Sequence, residues 1–300
     1  MTLNAHPELP EFDYVRPVSL MEASQFLAQH AGEARPLLGG TDIFVRMRDW
    51  FWHEKYLVDV KHLDGSGDIH FDSAAGLTIG AGVNMNRVIA SPHVQQHYPL
   101  LAEACRSVAS YQLRTRATIA GNVCNASPAG DTIGACLLLG GALKVHSVAG
   151  YRQVPLGGFF LGPGSTVLQP GDIVTAIQFP PPIIPDGGTY IKLGRNQKSD
   201  LSIVGVTAYG FADRTTASGY RFRIALASVA PVPLVVNAVE EYLSANKVSP
   251  EAFKGASRLA QESCNPIDDV RGSARYRKAM VQRLTEKALQ ITWGQLQQQN

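Results

Sequence analysis

Two short runs carry the residues best suited to chemistry in this 300-residue chain: Leu37-Leu38-Gly39-Gly40-Thr41-Asp42-Ile43 and Thr118-Ile119-Ala120-Gly121-Asn122. Both bear glycine, and both are entered from an apolar or β-branched run. Glycine leaves backbone N–H groups uncovered, so a polyanion can come close to the main chain. Two such loops predict a grip on one diphosphate from two sides, and hence a dinucleotide ligand. Gly39-Gly40 by itself reads equally well as an ordinary turn. Neither run has the G-x-G-x-x-G spacing of a Rossmann nicotinamide site.

The second run continues through Val123-Cys124-Asn125-Ala126-Ser127-Pro128-Ala129-Gly130-Asp131. Asp131 can accept from a sugar hydroxyl or cap a helix over 132–139, and both roles are compatible. In Tyr190-Ile191-Lys192-Leu193-Gly194-Arg195-Asn196-Gln197-Lys198-Ser199-Asp200-Leu201, a positive group balances cofactor charge or the stretch is a solvated strand end. His53, His62, His70, His93 and His97 show no metal-binding spacing, and there is no G-x-S-x-G elbow. Cys105, Cys124, Cys136 and Cys264 form no C-x-x-C pair and read as buried thiols in a reducing compartment, the cytoplasm. No residue must act as a general acid or base, so catalytic residues and metals are both expected to be none. Redox chemistry carried by a bound cofactor fits this inventory better than hydrolysis.

The elements that must position these residues follow from periodicity. Ser19-Leu20-Met21-Glu22 is a capping-box signature, and Leu20, Ala23, Phe26 and Leu27 share a helical face. A strand over 34–38, the glycine loop, a short helix capped by Thr41 or Asp42, and a strand over 56–60 make a β–loop–α–β unit. Its loop sits at a helix N-terminus, where free N–H groups and the dipole favour an anion. Strands are then expected at 77–82, 143–147, 153–156 and 173–177, with helices from 86 and over 100–108. Pro180-Pro181-Pro182 followed by Pro185-Asp186-Gly187-Gly188 reads as a connector. The expected domains are therefore 1–184, with sub-domains 1–63 and 64–184, and 185–300. The last third alternates like antiparallel strands at 190–194, 202–211 and 220–229, then turns helical at 234–245, 250–262 and 273–293, ending in a frayed glutamine-rich tail.

Composition narrows the class. A hydrophobic fraction of 45% and a charged fraction of 17% describe a globular chain, and a net charge of +2 with scattered bases predicts no nucleic-acid partner. No apolar run is long enough for a membrane span, and residues 1–13 lack the apolar stretch of a signal peptide.

Taken together, Gly39–Ile43, Thr118–Asn122, Asn125–Asp131, Lys192-Leu193-Gly194-Arg195 through Asp200, and Asp269-Val270-Arg271-Gly272-Ser273-Ala274-Arg275-Tyr276-Arg277 resemble the FAD-binding medium subunits of the molybdenum hydroxylases, the xanthine dehydrogenase and carbon monoxide dehydrogenase family. The resemblance implies an α+β fold: a two-part FAD-binding domain of the vanillyl-alcohol-oxidase (PCMH) type, followed by a C-terminal antiparallel sheet plus helix layer. It implies that Pro36, Leu37, Leu38, Gly39, Gly40, Thr41, Asp42 and Ile43 wrap the FAD diphosphate, that Thr118, Ile119, Ala120, Gly121 and Asn122 complete the grip, and that Asp131 holds a sugar or ribityl hydroxyl. Val108, Val174 and Lys192 match cofactor-lining positions, and Leu201 falls near the flavin ring. Ala120 stands where many relatives have glycine, so the loop there either uses a conformation open to alanine or binds slightly less closely. The inserted loop that holds an extra iron–sulfur cluster in some members is missing, and Cys124 and Cys136 cannot supply four ligands.

By this resemblance the chain is an electron-transfer subunit of a heterotrimer or dimer of heterotrimers. A molybdopterin-binding large subunit oxidises substrate, a [2Fe-2S] small subunit feeds FAD, and NAD+ or another acceptor takes the electrons. The alternatives are a self-sufficient flavin-dependent oxidase or dehydrogenase, and a non-catalytic assembly subunit.

Overall fold

The computed structural model describes residues 8–196 and 200–299. The reading of residues 1–7, and of 197–199 within the 190–201 stretch, lies outside them. The first unit is β1 (Asp13–Val15), α1 (Leu20–Gln29), β2 (Ala34–Leu37), α2 (Ile43–Arg48) and β3 (Tyr56–Asp59). Its sheet is parallel in the order β1-β3-β2, so β2 is an edge strand. Ser19 caps α1 by accepting from Glu22 N, while the Glu22 carboxylate accepts from Val18 N. Side chains alternate across β2. Leu37 packs with Met47 and Leu57 on the α2 side, and Ala34 packs with Leu27 and Val58 on the α1 side.

The second unit holds β4 (Ile69–Asp72), β5 (Gly76–Gly80), α3 (Met85–Ala90), α4 (Pro92–His97), α5 (Pro99–Ser107), α6 (Tyr111–Arg114), α7 (Ile119–Cys124) and α8 (Ile133–Leu138). It continues with β6 (Ala142–Ser147), β7 (Gly150–Pro155), a β8–β9 hairpin (Phe160–Gly162, Ser165–Thr166) and β10 (Ile173–Phe179). The larger sheet is antiparallel, β4-β5-β10-β6-β7.

The third unit is the antiparallel sheet β11 (Asp186–Leu193), β12 (Val204–Ala212), β13 (Tyr220–Ala227) and β14 (Leu234–Val235), backed by α9 (Asn237–Ala245), α10 (Pro250–Ser263) and α11 (Ala274–Gln297). Strand β12 is buried on both faces. Val204, Val206 and Ala208 pack on the helical layer, whereas Tyr209 and Phe211 join the core of the second unit. Helix α8 lies so close to it that a Cβ on Gly134 would stand 2.2 Å from Thr207 Oγ1.

Three expectations are corrected. Asp186-Gly187-Gly188 is not connector but the start of β11. The strand packs closely there: a Cβ on Gly187 would press on Thr292 and Gln295 of α11, and one on Gly188 on Leu100 and Ala208, each at 3.0 Å. Leu234 and Val235 are a strand paired with β13, and the helix begins only at Asn237. The glutamine tail is not frayed: Gly188 N donates to Gln295 Oε1 at 2.7 Å, and Gln299 Nε2 donates to Asp186 O at 2.7 Å.

Candidate functional site

A cleft of about 650 Å³ runs from the free edge of β2, past the start of α7, to the end of β11. Its floor is set by two close approaches. Gly40 has φ +75°, a left-handed conformation that turns the chain out of β2 and into α2. At Gly39 a Cβ would stand 2.3 Å from the carbonyl oxygen of Arg116, so only glycine lets the two segments touch.

The opposite wall is not a loop. Thr118 is the N-cap of α7 and its Oγ1 accepts from Gly121 N at 2.9 Å. Ala120 is a buried helical residue in the core, which is why alanine suits that position. Asn122 Oδ1 accepts from Thr132 N (3.3 Å) and Thr132 Oγ1 (2.7 Å), tying α7 to the start of α8. Across the cleft, Asn125 Nδ2 donates to Asp42 Oδ1 at 3.0 Å. That bond replaces the expected cap, since Asp42 makes no side-chain bond to α2. Burial raises the Asp42 pKa above the usual carboxylate value, with Arg46 opposing.

At the far end, Asp131 Oδ1 accepts from the Tyr190 hydroxyl and Oδ2 from Lys192 Nζ, each at 2.7 Å. Lys192 Nζ also donates to Ser107 O at 3.2 Å. Asp131 therefore does not cap α8, whose N-cap is Thr132. Lys192 is paired rather than a solvated strand end. Burial pushes the Asp131 pKa up, and the Lys192 charge and the bonds from Lys192 and Tyr190 pull it back. Burial first, then the Asp131 charge, drive the Tyr190 phenol well above its ordinary value.

Pro36, Leu38, Gly39, Gly40, Thr41, Asp42, Ile43, Val108, Thr118, Gly121, Asn122, Asp131, Val174 and Lys192 all line this one cleft. Leu37, Ile119 and Ala120 do not; their side chains fill the cores behind the walls. Val108 is held in place by Arg114, whose Nη1 donates to Val108 O at 2.7 Å. Sequence reasoning missed the residues flanking β2 and those facing it. The Arg35 guanidinium lies over the Trp52 ring at 3.7 Å and donates to Glu54 Oε1 through Nε at 2.8 Å. The 169–172 turn holds Asp172, which accepts from Gln169 N and from Arg152. The Pro170-Gly171 pair was a legible turn signal, and nothing local marked Trp52. Cys124 lines the cleft with its thiol pushed up to about 12 by burial, which unsuits it as a nucleophile. Among the described residues no group of three or more His, Cys, Asp or Glu side chains could hold a metal ion. Among them, too, no helix is long and apolar enough to cross a membrane.

Comparison with known proteins accords with this geometry. Residues 10–182 match the family described as FAD binding domain in molybdopterin dehydrogenase, and residues 189–292 match the CO dehydrogenase flavoprotein C-terminal domain. The carbon monoxide dehydrogenase medium chain of Hydrogenophaga pseudoflava is 31% identical over 285 residues, covering 95% of this chain and 98% of that one. The putative xanthine dehydrogenase FAD-binding subunit of Escherichia coli K12 is 28% identical over 277 residues, 92% and 94% of the two chains. Among solved structures, a chain of the Hydrogenophaga pseudoflava carbon monoxide dehydrogenase superposes with a TM-score of 0.91 at 32% identity, covering 96% of this chain and 99% of that chain.

Proposed function

This chain belongs to the family of FAD-binding medium subunits of molybdopterin dehydrogenases, and from that premise we propose that it carries electrons within a molybdenum-dependent hydroxylase or dehydrogenase. In this reading a molybdopterin-binding large subunit oxidises the substrate and a [2Fe-2S] small subunit passes electrons to FAD. NAD+ or another acceptor then takes them, within a heterotrimer or a dimer of heterotrimers. Residues 1–184 carry the cofactor and 185–300 close over its end. Four free cysteines suit a reducing compartment, the cytoplasm.

The cleft fits FAD. The observation that carries the reading is that one cleft brings the Gly39-Gly40 turn, packed against Arg116 O as only glycine allows, opposite the first turn of α7. Backbone N–H groups there would hold the diphosphate. The volume of about 650 Å³ is that of a ligand site. Lys192 and Asp131 would meet the sugar-alcohol and ring end, with Leu201 at its mouth and Val108 beside it. The edge of β2, Val174 and the 169–172 turn would enclose the adenosine half. Because Asp131 is neutralised by Lys192, it brings no free negative charge to that end. Bound FAD supplies two-electron and one-electron chemistry that no side chain here offers. The protein's own share is to grip, orient and screen it from water.

The test is purification of the chain alone and with its neighbouring subunits. The expected result is a yellow chain with an oxidised-flavin spectrum, unbleached by small organic donors alone but bleached by substrate in the assembled complex. Bleaching of the isolated chain supports a self-sufficient oxidase instead. A chain left colourless after addition of FAD refutes the flavoprotein reading and supports an assembly subunit.

A further inference from the structure

The run from Asp269 to Arg277 lies wholly outside the cleft lining, yet it contains the largest fully buried side chain of the described residues. Arg277, in the first turn of α11, is 1% exposed. Its Nη1 donates to the carbonyls of Ile203 (2.6 Å) and Ser228 (3.0 Å), and its Nη2 donates to Asp269 Oδ1 (2.6 Å). Asp269 Oδ2 accepts from Arg271 Nη2 at 2.6 Å, and Arg271 Nη1 reaches Ser202 O at 3.4 Å.

A buried guanidinium is a poor way to gain stability, because its desolvation offsets most of the attraction to its partner. Nor does α11 need it as a cap, since Ser273 already accepts from Tyr276 N. What the pair of arginines does accomplish is to hold the two carbonyls that directly follow Leu201. Leu201 is 59% exposed and stands on the cleft lining. Behind it Ser202 is fully buried, with its Oγ 2.8 Å from Ser228 Oγ. In front of it, Arg195 N and Nε donate to Asp200 Oδ2 at 3.1 and 3.0 Å. Leu201 is thus pinned on both sides by bonds to its neighbours while its own side chain is left free.

We infer that Asp269 and Arg277 are positioning residues for the flavin: Arg277 fixes the carbonyl of Ile203, Asp269 holds both Arg277 and the Arg271 that reaches Ser202 O, and together they set where Leu201 stands over the ring end of the cleft. This rests on the reading that the ring lies at the Lys192–Leu201 end. A mutational change carried along such a hydrogen-bonded chain shifts the occupancy of the seated position, and so the access of small solutes to the ring.

The test uses the full chain loaded with FAD and iodide as a collisional quencher of flavin fluorescence, with FAD affinity measured in parallel. Leu201→Ala is expected to raise the quenching constant by about twofold or more, and Asp269→Asn to raise it comparably. The double variant Leu201→Ala/Asp269→Asn should rise no further than Leu201→Ala alone, because Asp269 acts through Leu201. Quenching that is unchanged in Leu201→Ala overturns the placement of the ring itself. A change in Leu201→Ala with none in Asp269→Asn, or additive effects in the double variant, overturns the positioning role and leaves the placement standing. Should Asp269→Asn not fold, Arg277→Lys, which keeps a donor for one carbonyl, is read by the same measurement against the same criteria.

Discussion

Replacing Gly39 by alanine tests the cleft at its narrowest point. The added methyl would stand 2.3 Å from Arg116 O, 2.9 Å from Arg116 C and 3.3 Å from Ala117 Cα, all backbone atoms. No rotamer can relieve that contact. To restore ordinary separation the turn after β2 must draw away from the segment entering α7 by roughly 1 Å, at an overpacking cost of about 1–3 kcal/mol. The same displacement parts the two segments that, in the proposed reading, hold the diphosphate between them. Losing one charge-assisted hydrogen bond to a diphosphate costs about 1.5–3 kcal/mol. The expected weakening of FAD binding is therefore about tenfold to a hundredfold, since each 1.4 kcal/mol is about one decade in Kd. The assay is titration of the apo chain with FAD, followed by flavin fluorescence, alongside Gly157→Ala. Nothing lies within 4 Å of a Cβ built on Gly157, and that control should bind as wild type. A Gly39→Ala chain that holds FAD within about twofold of wild type refutes the argument, for its walls would then not be what grips the ligand.

Gly40→Val combines a left-handed φ of +75° with a methyl 2.8 Å from the Phe44 ring, and Gly121→Val crowds the Thr118 cap; both are expected to abolish FAD retention. Cys105→Ser replaces a buried thiol in the core by a hydroxyl, so it should lower the unfolding free energy, read from denaturant melts, by about 1–3 kcal/mol yet keep its flavin, and a colourless Cys105→Ser chain would count against that division. Asp131 has a raised pKa in the folded chain, so the unfolded chain loses that proton first as pH climbs. Its contribution to apo stability is then full below the ordinary carboxylate value and declines up to the raised one, and Asp131→Asn should flatten that decline in denaturant midpoints followed from acid to neutral pH. Gln295→Ala removes the acceptor for Gly188 N and should cost about 1 kcal/mol, and an unchanged unfolding midpoint would mean that the tail is not docked.

What the sequence made legible divides along physical lines. The β–loop–α–β unit was readable because its signals are local: an apolar alternation, a glycine pair and a short amphipathic run. The walls behind the second run were not. Thr118–Asn122 looks like a glycine loop, but a threonine hydroxyl returning to Gly121 N makes it a helix start, a choice decided by the core that buries Ile119 and Ala120. Gly187 and Gly188 look like linker until α11 is laid against them. Asp131 could be read as a cap or as a ligand contact, and the structure gives its oxygens to Tyr190 and Lys192, residues some sixty positions distant whose approach no local pattern records. Trp52 and Glu54 entered the cleft for the same reason: Arg35, on the edge strand, reaches across to both.

These non-local contacts also explain why the cleft exists where it does. Its lining draws on the first unit at the edge of β2, on the second at α7 and β10, and on the third at the end of β11. Core side chains such as Leu27, Met85, Val108, Ile173 and Val174 form its apolar stretches. Its polar walls are joined by short links between units: Asn125 to Asp42, Asp131 to Tyr190 and Lys192, and Lys192 to Ser107. Such links are individually worth about 0.5–1.5 kcal/mol, and up to about 3 where a charge is involved. A ligand that spans all three units adds its binding free energy to their mutual placement and stabilises the arrangement in proportion to its occupancy. Substitutions that leave each core intact but loosen one link should therefore weaken the ligand more than they weaken the fold. Substitutions inside a core should do the reverse, and that contrast separates a cleft built between units from one carved into a single core.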